Sequence, residues 1–333
     1  MKILKVMNLR SNRGGLTGAV MELATSLRKE GFSLDIVSIH GKIRERIKNI
    51  AKIIKGAKNY DLIMATGCAD YGFLPIAIGV VAGRIHKKRI LVDFHSGYPE
   101  PFMQHFGRLV KIFLGNIPVT VASGYLFDIF KKYKLNVFLM PYHFHYDAFP
   151  ERSNKFEWNK KIMWAASFQF MYDPETALKA CSLVLGKRQD VEFHFFGEGK
   201  LLKNLSKKYS HKNIFFKGFI PRSELLPQYQ QYCAFLNTSF GDNFPLRLVE
   251  ASFYELLVIS ARCSGVATIY NDKECLFFEK GDYVKLSEHI LGVLEGQHFY
   301  DPFRNNMHKK IMSFTWEKVR DKWLSLLNEN KTK

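Results

Sequence analysis

Short apolar runs alternate with stretches of helical period along this 333-residue chain, and the alternation is played through twice. In the first half, residues 3–9 and 34–39 read as β runs around an amphipathic segment from Thr17 to Glu30. Ala19, Val20, Leu23, Ala24 and Leu27 recur there at helical spacing, and Gly31 fits the C-terminal stop. Further strands fall at 61–65, 89–93, 119–122 and 137–140, with helical stretches at 42–58, at 102–114 and up to Tyr133. The second half repeats the scheme. Strands at 161–164, 192–196, 214–216, 234–236 and 257–260 are separated by helices at 174–185, 201–209, 222–231 and 245–253, and another helix opens at Asp282. Such alternation builds a parallel, doubly wound sheet covered by helices on both faces. One core seldom serves so long a chain, so two Rossmann-like domains are expected, 1–155 and 156–305. Residues 142–160 connect them. The tail 306–333 closes on Trp316, Val319, Trp323 and Leu326, an amphipathic helix able to cross back to the first domain.

Composition narrows the function. With 47% apolar and 24% charged residues the chain is globular rather than disordered. The apolar run from Phe73 to Ala82, interrupted by Pro75 and Gly79, is too short to span a bilayer, and the amino terminus reads as a strand rather than a leader. Cysteines 68, 181, 233, 263 and 275 show neither zinc nor disulfide spacing, which fits a reducing, cytoplasmic compartment. His143 and His145, with His40 further off, lack a nearby acid or thiol cluster. A loop of packed aromatic and imidazole rings suits them better than a metal.

The formal charge of +18 calls for an anionic partner. Residues 1–150 hold 22 Lys and Arg against 10 Asp and Glu, the remainder 27 against 21, so the excess lies in the first half. Ile43, Ile47, Ile50 and Ile54 mark one face of the helix at 42–58, among seven cations and the single acid Glu45. A second basic amphipathic stretch holds Arg108 and Lys111. Arg44, Lys48, Lys52, Lys55, Arg108 and Lys111 suit an anionic membrane or acceptor surface. Isoleucines packed on the sheet beside a solvated basic flank are the alternative, compatible with it if only part of the face is buried. No helix-turn-helix, RNP or zinc pattern supports nucleic acid.

The stretch from Thr238 to Ala251 carries the chemistry. It joins the apolar run 232–237 to the helix starting near Pro245 through small and polar residues, with Asp242 on the turn and Glu250 eight residues later. In open parallel sheets ligands bind where strand ends turn into helices, and helix amino termini favour phosphate. This stretch resembles the donor-site signature of family 4 glycosyltransferases, the retaining enzymes of the GT-B fold, with Asp242 where the first Glu of acid-x7-Glu usually stands. Other landmarks are similar and in the family's order: Gly14-Gly15, His95, Asp173-Pro174-Glu175, Gly197-Glu-Gly199, Phe216-Lys-Gly-Phe219, Gly281-Asp282 and the closing Ser-Phe-Thr-Trp316.

The resemblance implies two Rossmann-like domains facing across a cleft. It also implies retaining transfer of a sugar from a nucleotide diphosphate, UDP or GDP, without metal or further cofactor. His95, Asp242 and Glu250 would form the catalytic set, with His95 and Asp242 at the sugar and Glu250 at the ribose. Gly14, Gly15, Ser167, Lys200, Ser239, Asn243, Phe244, Pro245, Leu246 and Arg247 would line the donor, with the 243–246 amides on its phosphates. The base would lie near Gly197 and Phe219. The acceptor would be a glycan or a lipid-linked, lipopolysaccharide-type chain at the inner face of the cytoplasmic membrane. Departures stand beside this. Ala166-Ser167 and Tyr172 replace the usual Gly-Arg and Lys that grip the diphosphate, with Arg247, Lys200 and Arg13 as substitute cations. Tyr254-Glu255 and Leu257 replace Cys-Gly and Pro, and Ser264-Gly265-Val-Ala-Thr268 replaces Gly-Gly-x-x-Glu. The rival reading is a catalytically impaired GT-B subunit that binds glycan or a partner enzyme.

Overall fold

The computed structural model describes residues 1–9, 15–151 and 155–328. The elements run β1 (Lys2–Met7), α1 (Gly15–Lys29), β2 (Ser33–Ser38), α2 (Ile43–Gly56), β3 (Leu62–Gly67), α3 (Leu74–Ile85), β4 (Arg89–Phe94), α4 (Glu100–Leu114), β5 (Val119–Val121), α5 (Gly124–Lys132) and β6 (Val137–Leu139). They continue with β7 (Lys161–Ala165), α6 (Pro174–Leu185), β8 (Glu192–Phe196), α7 (Leu202–Lys208), β9 (Ile214–Gly218), α8 (Arg222–Gln228), β10 (Ala234–Asn237), α9 (Leu246–Phe253), β11 (Leu257–Ala261), α10 (Val266–Ile269), β12 (Leu276–Phe278), α11 (Tyr283–Glu295), α12 (Asp301–Ile311) and α13 (Trp316–Asn328). The chain forms two compact units. Unit 1 is Met1–His145 with Phe314–Lys333, and unit 2 is Tyr146–Ser313.

Unit 1 holds a six-stranded sheet in the order β2-β1-β3-β4-β5-β6, and its pairs are all parallel. α13 completes its core: Trp316, Val319, Trp323, Leu326 and Leu327 pack with Ile3, Leu23, Leu27, Met64 and Leu91. Removing either indole would cost about 3–5 kcal/mol. Polar contacts fix the helix in place. Arg320 donates to both oxygens of Glu30 at 2.7 and 2.9 Å, and the Trp316 indole donates to one of them. Those bonds, Arg320 first, hold the Glu30 carboxyl down at about 2. At the other end Arg89 donates to the carbonyls of Leu326 and Leu327, capping the helix.

On the opposite face α2, α3 and α4 lie side by side. Ile53 of α2 shares a cluster with Ile78 and Ala82 of α3, while Ile76 and Val80 of α3 share another with Phe102 and Val110 of α4. α3 falls in the apolar run 73–82, which has no amphipathic period to mark it as a helix. Its Gly79 explains the close approach to the sheet, since an added Cβ would come 2.6 Å from Ala65 Cβ.

Unit 2 repeats the architecture in the order β12-β11-β10-β7-β8-β9, again all parallel. Thus β7 and β10 lie together. The chain leaves β7 through α6 towards β8 and β9, and leaves β10 through α9 towards β11 and β12. That reversal is the topological switch point, outside whose carboxyl edge a crevice must open. Asp173, in the left-handed region at φ 41°, caps α6 by accepting the Thr176 amide, and Asp282 caps α11 through Lys285.

His143 gives unit 1 a pH-sensitive joint. The ring is buried, packs 4.8 Å from Trp316 and 5.9 Å from His145, and shares the Ser26 hydroxyl with His145. Burial, then the neighbouring His145, push its imidazole down from 6.5 to about 4. With the folded value depressed, this contribution is full above pH 6.5 and is lost as pH falls through 4. Urea unfolding of unit 1, followed by its tryptophans, should show a loss of about 2 kcal/mol between pH 7 and pH 5 that the His143→Asn variant lacks. An equal acid loss in the variant would place the titration elsewhere.

Candidate active site

At the carboxyl edge of β7 and β10 three loops are bound together. The Thr238 hydroxyl accepts from the Trp164 indole at 3.0 Å and donates to the Tyr172 carbonyl at 2.8 Å, and the Phe240 amide donates to Met171. The loop after β7 is tied in turn to the loop after β8: the Phe168 amide and the Ser167 hydroxyl both donate to the Glu198 carbonyl. Backbone meets backbone there, because a Cβ on Gly197 would fall 1.8 Å from the Ala166 carbonyl oxygen. Gly197, at φ +128°, is therefore required by the packing of two loops.

Asp242 sits on the turn after β10 with its side chain 21% exposed. The amides of Asn243 and Phe244 face its carboxylate, and burial pushes the carboxyl above its ordinary value against the pull of Arg247 and those amides. Of the four positions 243–246, two thus turn their N–H towards Asp242, and Pro245 has none. Within the first turn of α9 the Leu248 amide donates to the Pro245 carbonyl, and the Leu246 and Arg247 amides lie at the end where a helix favours an anion.

Arg247 is the second residue of α9 and reaches back across the switch point. Its guanidinium donates to the Ala165 carbonyl at 2.6 Å, lies over the Tyr172 ring at 4.8 Å and stands 3.7 Å from the Asp242 carboxylate. A cation is thereby placed against Ala165 and Tyr172, beside the loop where Ser167 and Tyr172 stand for the resemblance's missing Arg and Lys. Ser167 itself is spent on Glu198. Lys200 is exposed, and Phe219 is 39% exposed beside Gly218 at the end of β9. Ser239 is buried and donates to Asn237, so its hydroxyl serves the sheet.

Glu250 lies three residues beyond Arg247, one helical turn on. It is buried, and both carboxylate oxygens have protein partners: Arg222 Nε at 2.6 Å and the Tyr229 hydroxyl at 3.2 Å. Tyr229 stacks on Tyr254 at 5.9 Å, and its hydroxyl is pushed well above its ordinary value by burial and by Glu250.

In unit 1, His95 follows β4 and is likewise engaged. Its Nδ1 meets the Tyr142 hydroxyl at 2.5 Å and its Nε2 stands 3.0 Å from Asp93 Oδ2. Asp93 is buried with Lys5, whose ammonium is fully buried 3.1 Å away, and accepts from Thr120. Burial opposes its charge, but His95 and Lys5 outweigh that and hold the carboxyl well below its usual range. Gly14 and Arg13 lie outside the described residues, and Gly15 is the first residue of α1. Arg44, Lys48, Lys52 and Lys55 of α2 and Arg108 of α4 are exposed. Lys111 is half-buried and donates to the Gly115 carbonyl, so it caps α4 instead of facing solvent freely.

Sequence reasoning missed Arg222, Tyr229, Lys5, Asp93 and Tyr142 as members of these clusters. Lys5 within Leu4-Lys5-Val6 and Asp93 ending Ile-Leu-Val-Asp were signals, since an ionisable residue inside an apolar strand needs a partner.

Residues 146–311, nearly all of unit 2, match the family model for Glycosyl transferases group 1. Both sheets and their covering helices form the GT-B fold of two Rossmann-like domains. HepE of Anabaena in complex with UDP-glucose is similar at a TM-score of 0.80 and 16% identity, over 99% of this chain and 100% of that one. Sucrose-phosphate synthase of Thermosynechococcus elongatus is similar at 0.76 and 14%, over 99% and 98%. A glycosyltransferase of Rickettsia africae is similar at 0.76 and 16%, over 100% and 99%. No curated protein matches the sequence significantly.

One contact tests the turn that carries Asp242. Gly265 donates to the Asp242 carbonyl at 2.9 Å, and a Cβ there would fall 1.7 Å from the Asn243 carbonyl oxygen. Gly265→Ala should lower the stability of unit 2 by about 1–3 kcal/mol in thermal unfolding by displacing that turn. An unchanged melting temperature would show the turn to be independent of α10.

Proposed function

We propose that the chain transfers a sugar from a nucleoside diphosphate donor, UDP- or GDP-linked, to a hydroxyl of a glycan or lipid-linked acceptor, with retention of configuration and without a metal. The observation that carries this reading is the Arg247 guanidinium at the switch point of unit 2, bridging Ala165, Tyr172 and Asp242. A departing diphosphate needs positive charge that is already in place. On the resemblance, Arg and Lys after β7 supply it; here one residue of α9 delivers a cation to the same loop, joined by the first-turn amides. Asp242 would then take the sugar's hydroxyls and Glu250 those of the ribose. The match of residues 146–311 to Glycosyl transferases group 1 supports transfer chemistry, and UDP-glucose bound to HepE supports the donor class.

A second reading, a binding subunit without turnover, draws on Ser167 and Tyr172 standing where the family has cations. A panel of nucleotide sugars separates the two. Release of nucleoside diphosphate is expected, and Arg247→Ala should lower kcat about 100- to 1,000-fold, the effect of removing one preorganised charge partner. Thermal stabilisation by the nucleotide with no release from any donor would favour the binding subunit.

The acceptor side rests on unit 1. α2, α3 and α4 form one layer whose outward residues mix greasy and basic side chains: Ile43 is 75% exposed, Ile112 76% and Leu109 60%, among Arg44, Lys48, Lys52 and Arg108. Among the described residues no helix is long and apolar enough to cross a membrane. This layer would instead rest on an anionic bilayer, peripheral at the cytoplasmic face, cations at the headgroups and isoleucines below them. Vesicles containing phosphatidylserine should sediment with the protein and neutral ones should not. Joint replacement of Lys48, Lys52 and Lys55 by Glu should abolish that binding, whereas retention by the triple variant would reject this face as the docking surface.

A further inference from the structure

Glu250 is closed on both sides, but not equally. The Tyr229 hydroxyl on one oxygen belongs to a fully buried ring. Arg222 on the other is different: its side chain is 47% exposed while that of Glu250 is 5% exposed. Its guanidinium rides over the Phe149 ring at 5.1 Å and belongs to the first residue of α8, at a loop end rather than inside a core. A ligand hydroxyl that seeks Glu250 therefore meets the water-accessible cation first.

Resting on the nucleotide-sugar reading, we propose that Arg222 is a latch that competes with the ribose diol for Glu250 and so sets the affinity for the nucleotide. A carboxylate this buried cannot stand unpaired, so the protein keeps an internal partner for it when the site is empty. Tyr229 is too enclosed to be exchanged. Arg222 is not, because its half-exposed charge can be rehydrated while the buried Phe149 ring it rides over stays in place. Binding then exchanges one charge-assisted bond for hydrogen bonds from the two ribose hydroxyls. The latched fraction enters the apparent dissociation constant directly, since only the unlatched protein offers Glu250.

This has a consequence for selectivity. A ligand with both ribose hydroxyls recovers the cost of opening, whereas one without them gains nothing from Glu250 and has no need to open the latch. Arg222 thus taxes ribonucleotides in particular, and removing it should favour them in particular. Arg222→Gln is the suitable variant, because the amide N–H still donates to Glu250 and leaves no bare buried carboxylate.

Isothermal titration with UDP and GDP, alongside their 2′,3′-dideoxy analogues, tests this. Arg222→Gln should bind the ribonucleotide about 3- to 10-fold tighter than wild type, with the dideoxy analogue bound equally by both. Arg222→Lys, which keeps a cation at the position, should stay nearer to wild type, and circular dichroism confirms that each variant is folded. Weaker or unchanged ribonucleotide binding by Arg222→Gln overturns the latch, and so does an equal gain for the dideoxy analogue. Failure of wild type and variants alike to bind any nucleoside diphosphate overturns the transferase reading, and the latch with it.

Discussion

A half-buried guanidinium needs partners on every side, and the partners that Arg247 finds hold the centre of unit 2 together. The Ala165 carbonyl is the last of β7, Tyr172 sits just before α6, and Asp242 is on the turn after β10. Three segments far apart in sequence are thus referred to one cation. The arrangement is possible because β7 and β10 are neighbours at a point where the chain changes direction. Had α9 followed a strand further from β7, its second residue could not have reached Ala165. Topology makes the reach short, and a planar fork with five donors makes use of it.

Unit 1 solves a comparable problem in a drier place. Lys5 and Asp93 stand on strands separated by β3, and the ammonium crosses over Met64, 3.2 Å from its sulfur, to reach the carboxylate. An ion pair so enclosed is a poor source of stability, since desolvation cancels much of its attraction. Its value lies in what it orients. Asp93 is held by Lys5 and Thr120, and His95 is held between Asp93 and Tyr142. Its Nδ1 is hydrogen-bonded to Tyr142, while its Nε2 faces Asp93 at 3.0 Å without completing a hydrogen bond. Both units thus place these candidate side chains through polar partners as well as through packing.

The sequence made the elements legible wherever local chemistry was unambiguous. The helix at 174–185 is found over those same residues, because Asp173-Pro174 is both a cap and a compatible first turn. α3 was opaque for a physical reason: a helix pressed on the sheet through Gly79 and Gly83 and buried over most of its surface shows no polar face to give it a period. β12, three residues long, was opaque because it is too short to carry a pattern. At the site, Asp242, Arg247 and Glu250 were legible since they lie within nine residues on one turn and helix. Their partners were not. Arg222 is 28 residues from Glu250, and Lys5 is 88 from Asp93. Pairings of that separation are decided by strand order, which the apolar pattern does not encode.

A cation carried by a helix is controlled differently from one carried by a loop. A residue on the loop after β7 would follow that loop, whereas Arg247 follows the amino terminus of α9. That terminus follows the turn in which the Asn243 and Phe244 amides face the Asp242 carboxylate. Asp242 is therefore both a neighbour of the guanidinium and part of the turn leading into the helix that delivers it, whose N-cap is Pro245. The two roles support each other. Burial raises the carboxyl's resistance to charging, the Arg247 charge and the amides lower it, and the ionised form is the one able to hold the turn in which Arg247 is placed. Acid and cation in this site are consequently one structural unit, and a change to either is felt by the other through the backbone between them.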